Sequence, residues 1–287
     1  MKIVTDCAAD MTAEELRQLD ITSAPLSIQF PDGEVNSDEI SADEFYNRLE
    51  AMRPAIPTTA QPSSGMFTAL YRKVSETGRS ILSIHLSSGL SGTINSAFVG
   101  GEQASDVADV TTWDSMTLSG GERFQVLAAA LAAKAGWTMQ AIQERLAAIR
   151  AETEVVYTLE TLEYLARGGR IGRVQALMGS VLKLKPLIRV DRKDGKYSTV
   201  AKERTIPQAM NALGDHLHSL YQNTPVWVTV LHGRLHESAE ALSKQLDQKL
   251  NVVKMETLRI SPVLGVHTGP GIVGAAVVPM SLMEGLE

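Results

Sequence analysis

Ser80-Ile81-Leu82-Ser83-Ile84-His85-Leu86-Ser87-Ser88-Gly89-Leu90-Ser91-Gly92-Thr93 is the stretch that decides the fold class. Its first half, Ser80–Leu86, is an apolar run of strand length. Its second half is a turn of small residues that enters a helix over Thr93 to Gln103. Strand, small-residue turn and helix in that order form the unit of a parallel sheet flanked by helices. The same alternation extends outward. Lys2–Thr5, Ser23–Phe30 and Asp109–Trp113 read as further strands, with Pro25 pushing the second toward a sheet edge. Thr12 with Glu15, and Ser41 with Glu44, have the spacing of capping boxes that start helices. Glu122–Ala135 is rich in Ala and Leu and stops before Gly136, and Thr138 caps a helix running to about Arg150.

The second half opens with a strand over Val155–Leu159 and a helical stretch to Leu165. Gly168-Gly169-Arg170-Ile171-Gly172 follows, and then an apolar helix to about Leu182. Lys185–Val190 and Lys196–Ala201 flank Asp194-Gly195, a strong hairpin signal. A helix over Pro207–Tyr221, strand Val226–Leu231, helix His236–Leu250 and strands Val252–Leu258 and Ile272–Pro279 complete the chain. The expected architecture is therefore α/β in two domains. Residues 1–154 form a mostly parallel sheet with helices, and residues 155–287 a mixed sheet with helices.

Composition narrows the function classes. With 287 residues, 44% of them hydrophobic, the chain can bury a core without disulfides or metal. One cysteine, Cys7, fits a reducing compartment. The apolar stretch after Met1 is too short for a signal-peptide core, and no run is long enough to span a membrane. A cytoplasmic address is expected, with no stable membrane insertion and at most transient membrane contact. The net charge of −6 argues against general nucleic-acid binding. It is unevenly spread, since residues 167–204 carry 11 Lys/Arg against 3 Asp/Glu. That basic segment is either a patch for an anionic partner or a set of solvated charges.

Three segments could carry chemistry. The Ser87–Thr93 turn offers hydroxyls from Ser87, Ser88, Ser91 and Thr93 at a helix N-terminus, where free amides and the helix dipole favour an anion. Gly89 and Gly92 let a ligand approach the backbone. Phosphate and carboxylate suit this turn equally, and an ordinary helix cap is the alternative. It lacks the lysine of a P-loop and the spacing of a nucleophile elbow, and no dinucleotide fingerprint follows the first strand. In Pro57–Gly65, two prolines stiffen an extended stretch that carries Thr59 and Gln61, and Ser63 or Ser64 caps the next helix. In His267-Thr268-Gly269-Pro270-Gly271, a loop histidine precedes the last strand. The six histidines show no metal-ligand spacing, so neither a metal nor a nucleotide cofactor is expected.

These motifs, with Ile3–Asp6, Asp114-Ser115, Ser119-Gly120-Gly121, Tyr164–Gly172 and Leu182–Pro186, resemble the DegV family in order along nearly the whole chain. The resemblance implies a two-domain α/β protein that binds one long-chain fatty acid between its domains. It further implies the lipid-carrying subunit of a bacterial fatty acid kinase. A separate ATP-using subunit would phosphorylate the bound carboxylate to an acyl phosphate for phospholipid synthesis. Carried over by position, the carboxylate ligands are Thr59, Ser91 and His267, with backbone help from Gly92 and Thr93. Cys7 and Ala8 stand where the family commonly has Ser and Thr, and Ala60 where it commonly has Ser. On this reading the chain has no catalytic set of its own, and Arg167, Arg170, Arg173, Lys202 and Arg204 form a docking face for the kinase. The competing reading is an acyl hydrolase or transferase using Ser91 and His267, which needs a third group to orient the histidine. A sugar- or phosphate-binding regulator is a weaker third.

Overall fold

The computed structural model describes residues 1–177 and 184–286. The first sheet grows from β1 (Lys2–Asp6), which leads through helix α1 (Ala13–Gln18) to β2 (Ile21–Ala24). Thr12 closes the expected capping box on α1, its hydroxyl accepting from the Glu15 amide while Glu15 accepts from the Thr12 amide. The single strand read over Ser23–Phe30 is two strands. Proline offers no amide to the ladder, and the chain leaves the first sheet at Pro25. It then builds a separate antiparallel sheet from β3 (Ser27–Phe30), β4 (Gly33–Asn36) and, after helix α2 (Ala42–Ala51), β5 (Thr58–Ala60), in the order β4-β3-β5. Helix α3 (Ser64–Ser75), capped by Ser63, returns the chain to β6 (Ser80–His85). Helix α4 (Thr93–Gln103) then leads to β7 (Asp109–Asp114). The first sheet has the order β2-β1-β6-β7 and is parallel throughout.

Helices α5 (Ser119–Lys134) and α6 (Met139–Glu152) carry the chain to the second sheet. Its strands are β8 (Glu154–Leu159), β9 (Lys185–Val190), β10 (Tyr197–Glu203), β11 (Pro225–His232), β12 (Asn251–Arg259) and β13 (Ile272–Pro279). The order is β10-β9-β8-β13-β11-β12, mixed as expected, with β11 and β12 parallel and the other pairs antiparallel. Between the strands lie α7 (Glu163–Arg167), α8 (Ile206–Tyr221), α9 (His236–Lys249) and α10 (Pro262–Thr268). The apolar helix expected after Gly172 is a 3-10 helix over Gly172–Leu177, and its continuation to Leu182 lies outside the described residues. The β9–β10 hairpin is present, but not with a two-residue turn. The Asp191 amide donates to the Lys196 carbonyl and the Asp191 carbonyl accepts from the Gly195 amide, so four residues form the loop, with Gly195 at φ +64°.

Helix α5 is the hinge of the packing. It starts at Ser119, three residues before the expected Glu122, and is buried on nearly every side through Ala132. One face meets β1 and β6 and the other meets β8 and β13. Gly120 permits the close approach to the second sheet, since a Cβ there would lie 2.6 Å from that of Ala276. Its run of Gly and Ala lets it pack closely on both sides although Glu122, Arg123 and Gln125 are buried with it, and residues of both sheets share one core around it. Its one buried cation, Arg123, is satisfied from both sides. Nε donates to Glu15 of α1 at 3.1 Å, and Nη2 to Glu256 of β12 at 3.1 Å. Polar groups inside the first sheet are paired likewise. Asp6 meets His85 Nδ1 at 3.0 Å, His85 Nε2 meets Ser83 at 2.7 Å, and Ser83 meets Tyr71 at 2.8 Å, all buried.

Candidate functional site

The connection from β1 runs to β2 on one side, and the connection from β6 runs to β7 on the other. The carboxyl ends of β1 and β6 are therefore a topological switch point, where open α/β sheets leave a crevice for ligands. A cavity of about 40 Å³ lies there, lined by Thr59, Leu86, Leu90, Ser91, Arg170 and His267 among others. It shares Leu118, Tyr197 and Leu264 with a second cavity of about 20 Å³ that runs between the start of α5 and β8, β11 and β13. Val155, Tyr157, Leu231, Ile260 and Ile272 line this deeper part, which is almost wholly apolar. Together they make a polar mouth on an apolar slot.

Thr59 lies on β5, where its partner across the ladder is Ile28. Its Oγ1 is 2.9 Å from Nε2 of His267. The histidine is not in a loop. It sits in the last turn of α10, a helix that starts at Pro262 behind Ser261 and ends at Gly269 in the left-handed region (φ +73°). His267 is largely buried, and Nδ1 has no hydrogen-bond partner. Burial, reinforced by the Arg170 charge, pushes its ring down to about 4, so the ring is neutral at pH 7 and presents one N–H and one lone pair. Ser91 Oγ lies 2.9 Å from Thr93 Oγ1 and accepts from the Thr93 amide at 3.3 Å. Thr59, Ser91 and His267 thus come together in one cavity, although they come from three distant segments.

The turn around Ser91 is organised differently from its sequence reading. Gly89 admits protein backbone rather than a ligand, since a Cβ there would lie 2.5 Å from the Asp194 carbonyl oxygen at the hairpin tip. Ser87 is buried and donates to the Gly195 carbonyl at 2.9 Å. The amides of Leu90 and Ser91 donate to the Ser87 carbonyl, that of Gly89 to Ser87 Oγ, and that of Ser88 to Asp114. Gly92 faces Gln61, whose side chain a Cβ would meet at 2.6 Å. Most of the expected amide cradle is therefore spent inside the fold. The donors left facing the cavity are side chains: the Thr59 and Ser91 hydroxyls, the His267 ring and the Arg170 guanidinium.

Arg170 is the residue whose place the sequence did not show. Its place in the basic segment puts it with Arg167 and Arg173, yet it lines the cavity and donates to the Gly168 carbonyl at 2.7 Å. Arg167 pairs with Glu163 at 2.9 Å and also reaches the Pro54 carbonyl. Arg173 pairs with Asp194 at 2.8 Å, and Lys202 and Arg204 are exposed near the end of β10. Tyr157 and Tyr197 also went unread as lining residues. The alternation of Val155, Tyr157 and Leu159 along β8 was the signal that they share the face toward α5.

A larger cleft of about 380 Å³ opens beside β1 and β2. Asp6, Asp10 and Asp38 face Arg259 there, a surplus of carboxylates that suits an anion poorly. Burial raises Asp10 to about 6, against the hydrogen bonds it accepts from Ser119 at 2.5 Å and the Ser261 amide at 2.7 Å. Among the described residues, no group of three or more His, Cys, Asp or Glu side chains is placed to hold a metal ion. No helix among them is long and apolar enough to cross a membrane.

Comparison with known proteins agrees with this architecture. A DegV domain-containing protein of Deinococcus radiodurans is 39% identical over 280 residues, covering 96% of this chain and 95% of its own. One from Clostridium perfringens is 33% identical over 277 residues, covering 96% and 97%. Among solved structures, DegV of Bacillus subtilis, a fatty acid binding protein, superposes with a TM-score of 0.88 at 29% identity, covering 97% of this chain and 98% of its own. A DegV family protein of Thermus thermophilus, whose structure concerns fatty acid binding, gives 0.90 at 27% identity, covering 97% and 99%. The profile of the DegV family of uncharacterised proteins spans residues 1–280, and the chain belongs to that family.

Proposed function

We propose that this protein binds one long-chain fatty acid between its two domains, divided at 154/155, and presents the carboxylate to a separate ATP-dependent kinase subunit. The observation that carries the reading is the join between a mouth of hydroxyl, imidazole and guanidinium groups and an apolar slot. Burying about 14 methylenes contributes on the order of 11 kcal/mol before the costs of association. That gain tolerates a desolvated carboxylate only if the head group is hydrogen-bonded. Thr59, Ser91 and His267 supply the bonds, and Arg170 adds a charge at the same mouth. A neutral His267 suits this role, because its Nε2–H can donate to Thr59 Oγ1 and leave the Thr59 hydroxyl proton for the carboxylate. Of the backbone help expected from Gly92 and Thr93, the Thr93 amide is already committed to Ser91.

Native mass spectrometry of the purified protein tests the binding step. A co-purified mass in the C14–C18 fatty-acid range, lost together in Thr59→Val and Ser91→Ala, is expected; an empty protein that takes a sugar phosphate instead would overturn the reading. The kinase step has its own test. Charge reversal at Lys202 and Arg204 is expected to weaken coupling to the kinase while leaving lipid binding intact, and loss of both functions, or of neither, would count against a docking face. The hydrolase reading is disfavoured by geometry. His267 Nε2 is engaged with Thr59 rather than Ser91, and no side chain orients Nδ1. Turnover of an activated ester that disappears in Ser91→Ala would reinstate it.

A further inference from the structure

The apolar slot contains one polar group that an ordinary fatty acid leaves unanswered. Tyr157 lines its deeper part, is 4% exposed, and its hydroxyl has no hydrogen-bond partner among the described residues. The ring of Tyr197 stands edge-on to it at 5.8 Å between centroids, near enough that each phenol bears on the other's protonation. Tyr197 also lines the head-group cavity, so this pair stands at the junction between the polar mouth and the tail. The surrounding surface is that of Leu118, Val155, Leu231, Ile260 and Ile272. A phenol that contributes only packing at such a place costs free energy that a phenylalanine would not. Burial keeps both phenols protonated, and so available as donors.

We infer that the slot is built for an acyl chain with a hydroxyl in its middle, received by Tyr157 and Tyr197. The inference rests on the fatty-acid reading and adds a substrate class to it. A secondary hydroxyl fits where a methylene does not, because its oxygen accepts from the Tyr157 O–H while its own proton goes to the Tyr197 oxygen. A saturated chain would pass the same point and leave the phenol unpaired. A carboxylate elsewhere on the chain would not serve, since among the described residues no cation lines this part of the slot.

The test is a binding series with stearate and stearates hydroxylated at single positions along the chain, against the full-length protein and Tyr157→Phe. One mid-chain isomer is expected to bind about five- to tenfold more tightly than stearate, and this preference is expected to vanish in Tyr157→Phe. Equal affinities across the series, or a preference that survives in Tyr157→Phe, would overturn the inference while leaving fatty-acid binding intact. Failure of stearate and every isomer to bind would overturn the fatty-acid reading as well. The melting temperature of unliganded Tyr157→Phe gives a second readout. It is expected to rise, because the variant removes an unpaired buried hydroxyl, and a fall of several degrees would show that the hydroxyl is already satisfied.

Discussion

Gly168→Ala is a perturbation that reaches the site through a single atom. Gly168 has φ −72°, a conformation any residue adopts, so alanine brings no backbone strain. Its new methyl, however, would lie 2.2 Å from Nδ1 of His267 and 2.9 Å from Cε1, with the Tyr164 carbonyl oxygen at 3.1 Å on its other side. Carbon and nitrogen settle at roughly 3.5 Å, so the imidazole must give way by about 1 Å. The ring is held at its far edge by the 2.9 Å contact to Thr59, and moving it breaks that bond. Crowding a packed position typically costs about 1–3 kcal/mol of stability. Losing one hydrogen bond to a charged carboxylate costs about 1.5–3 kcal/mol of binding, or roughly tenfold to over a hundredfold in affinity. Displacement of a fluorescent fatty acid measures the second quantity and a urea melt the first. Gly169→Ala is the control. Gly169 has φ +70° and nothing within 4 Å of an added methyl, so that variant is expected to lose stability alone. Wild-type affinity in Gly168→Ala would refute the assignment of His267 to the head-group site.

Further perturbations follow from the same geometry. His267, with its ring lowered from 6.5 to about 4, favours folding above pH 6.5, and this contribution of roughly 3 kcal/mol is lost as the pH falls through 4; stability against pH is expected to be flatter in His267→Gln, and an unchanged acid limb would contradict this. Asp10 has the opposite sign: raised from 3.8 to about 6, it favours folding at low pH and costs roughly 3 kcal/mol once ionised. Asp10→Asn is therefore expected to be more stable than wild type at pH 7 and equal to it near pH 4, read from urea midpoints at each pH. Arg123→Met strands Glu15 and Glu256 without their partner and is expected to cost about 3–5 kcal/mol, with a loss under 1 kcal/mol showing that the two sheets do not depend on this contact. Gly89→Ala, with its methyl 2.5 Å from the Asp194 carbonyl, is expected to cost about 1–3 kcal/mol and to unsettle the hairpin tip, which amide exchange at Gly195 would register.

What the sequence could show and what it could not divide along physical lines. Periodicity and capping are local, and they placed β6, α4, the α1 capping box and the alternation of the first sheet correctly. The small sheet β4-β3-β5 was missed because its strands have 3 or 4 residues, too few for alternation to declare itself. Helix α10 was missed because the glycines and proline after His267 drew the reading toward a loop, while Ser261-Pro262, a good helix start, lies seven residues upstream of Thr268. Family motifs carried Thr59, Ser91 and His267 to one site, which no local rule could do across 208 residues. The glycines of the Ser87–Thr93 turn were misread for a related reason. Composition reveals that a backbone must approach closely, but not whether the approaching group is a ligand or, as at Gly89, the protein's own hairpin.

That hairpin changes how the two proposed roles relate. Its tip is fastened to the turn that carries Ser91. The Ser87 hydroxyl holds the Gly195 carbonyl, and the Asp194 carbonyl packs onto Gly89. On its outer side the same tip is gripped by Arg173 through Asp194. The strands that leave the tip lead to Tyr197 in the slot and, farther along β10, to exposed Lys202. One hairpin therefore touches the head-group turn, the tail slot and the basic face. Arg170 repeats the pattern, since it lies in the basic segment yet lines the cavity beside His267. On the proposed reading, a partner that engaged Arg173 or Lys202 would bear on the hairpin whose tip packs against the Ser91 turn.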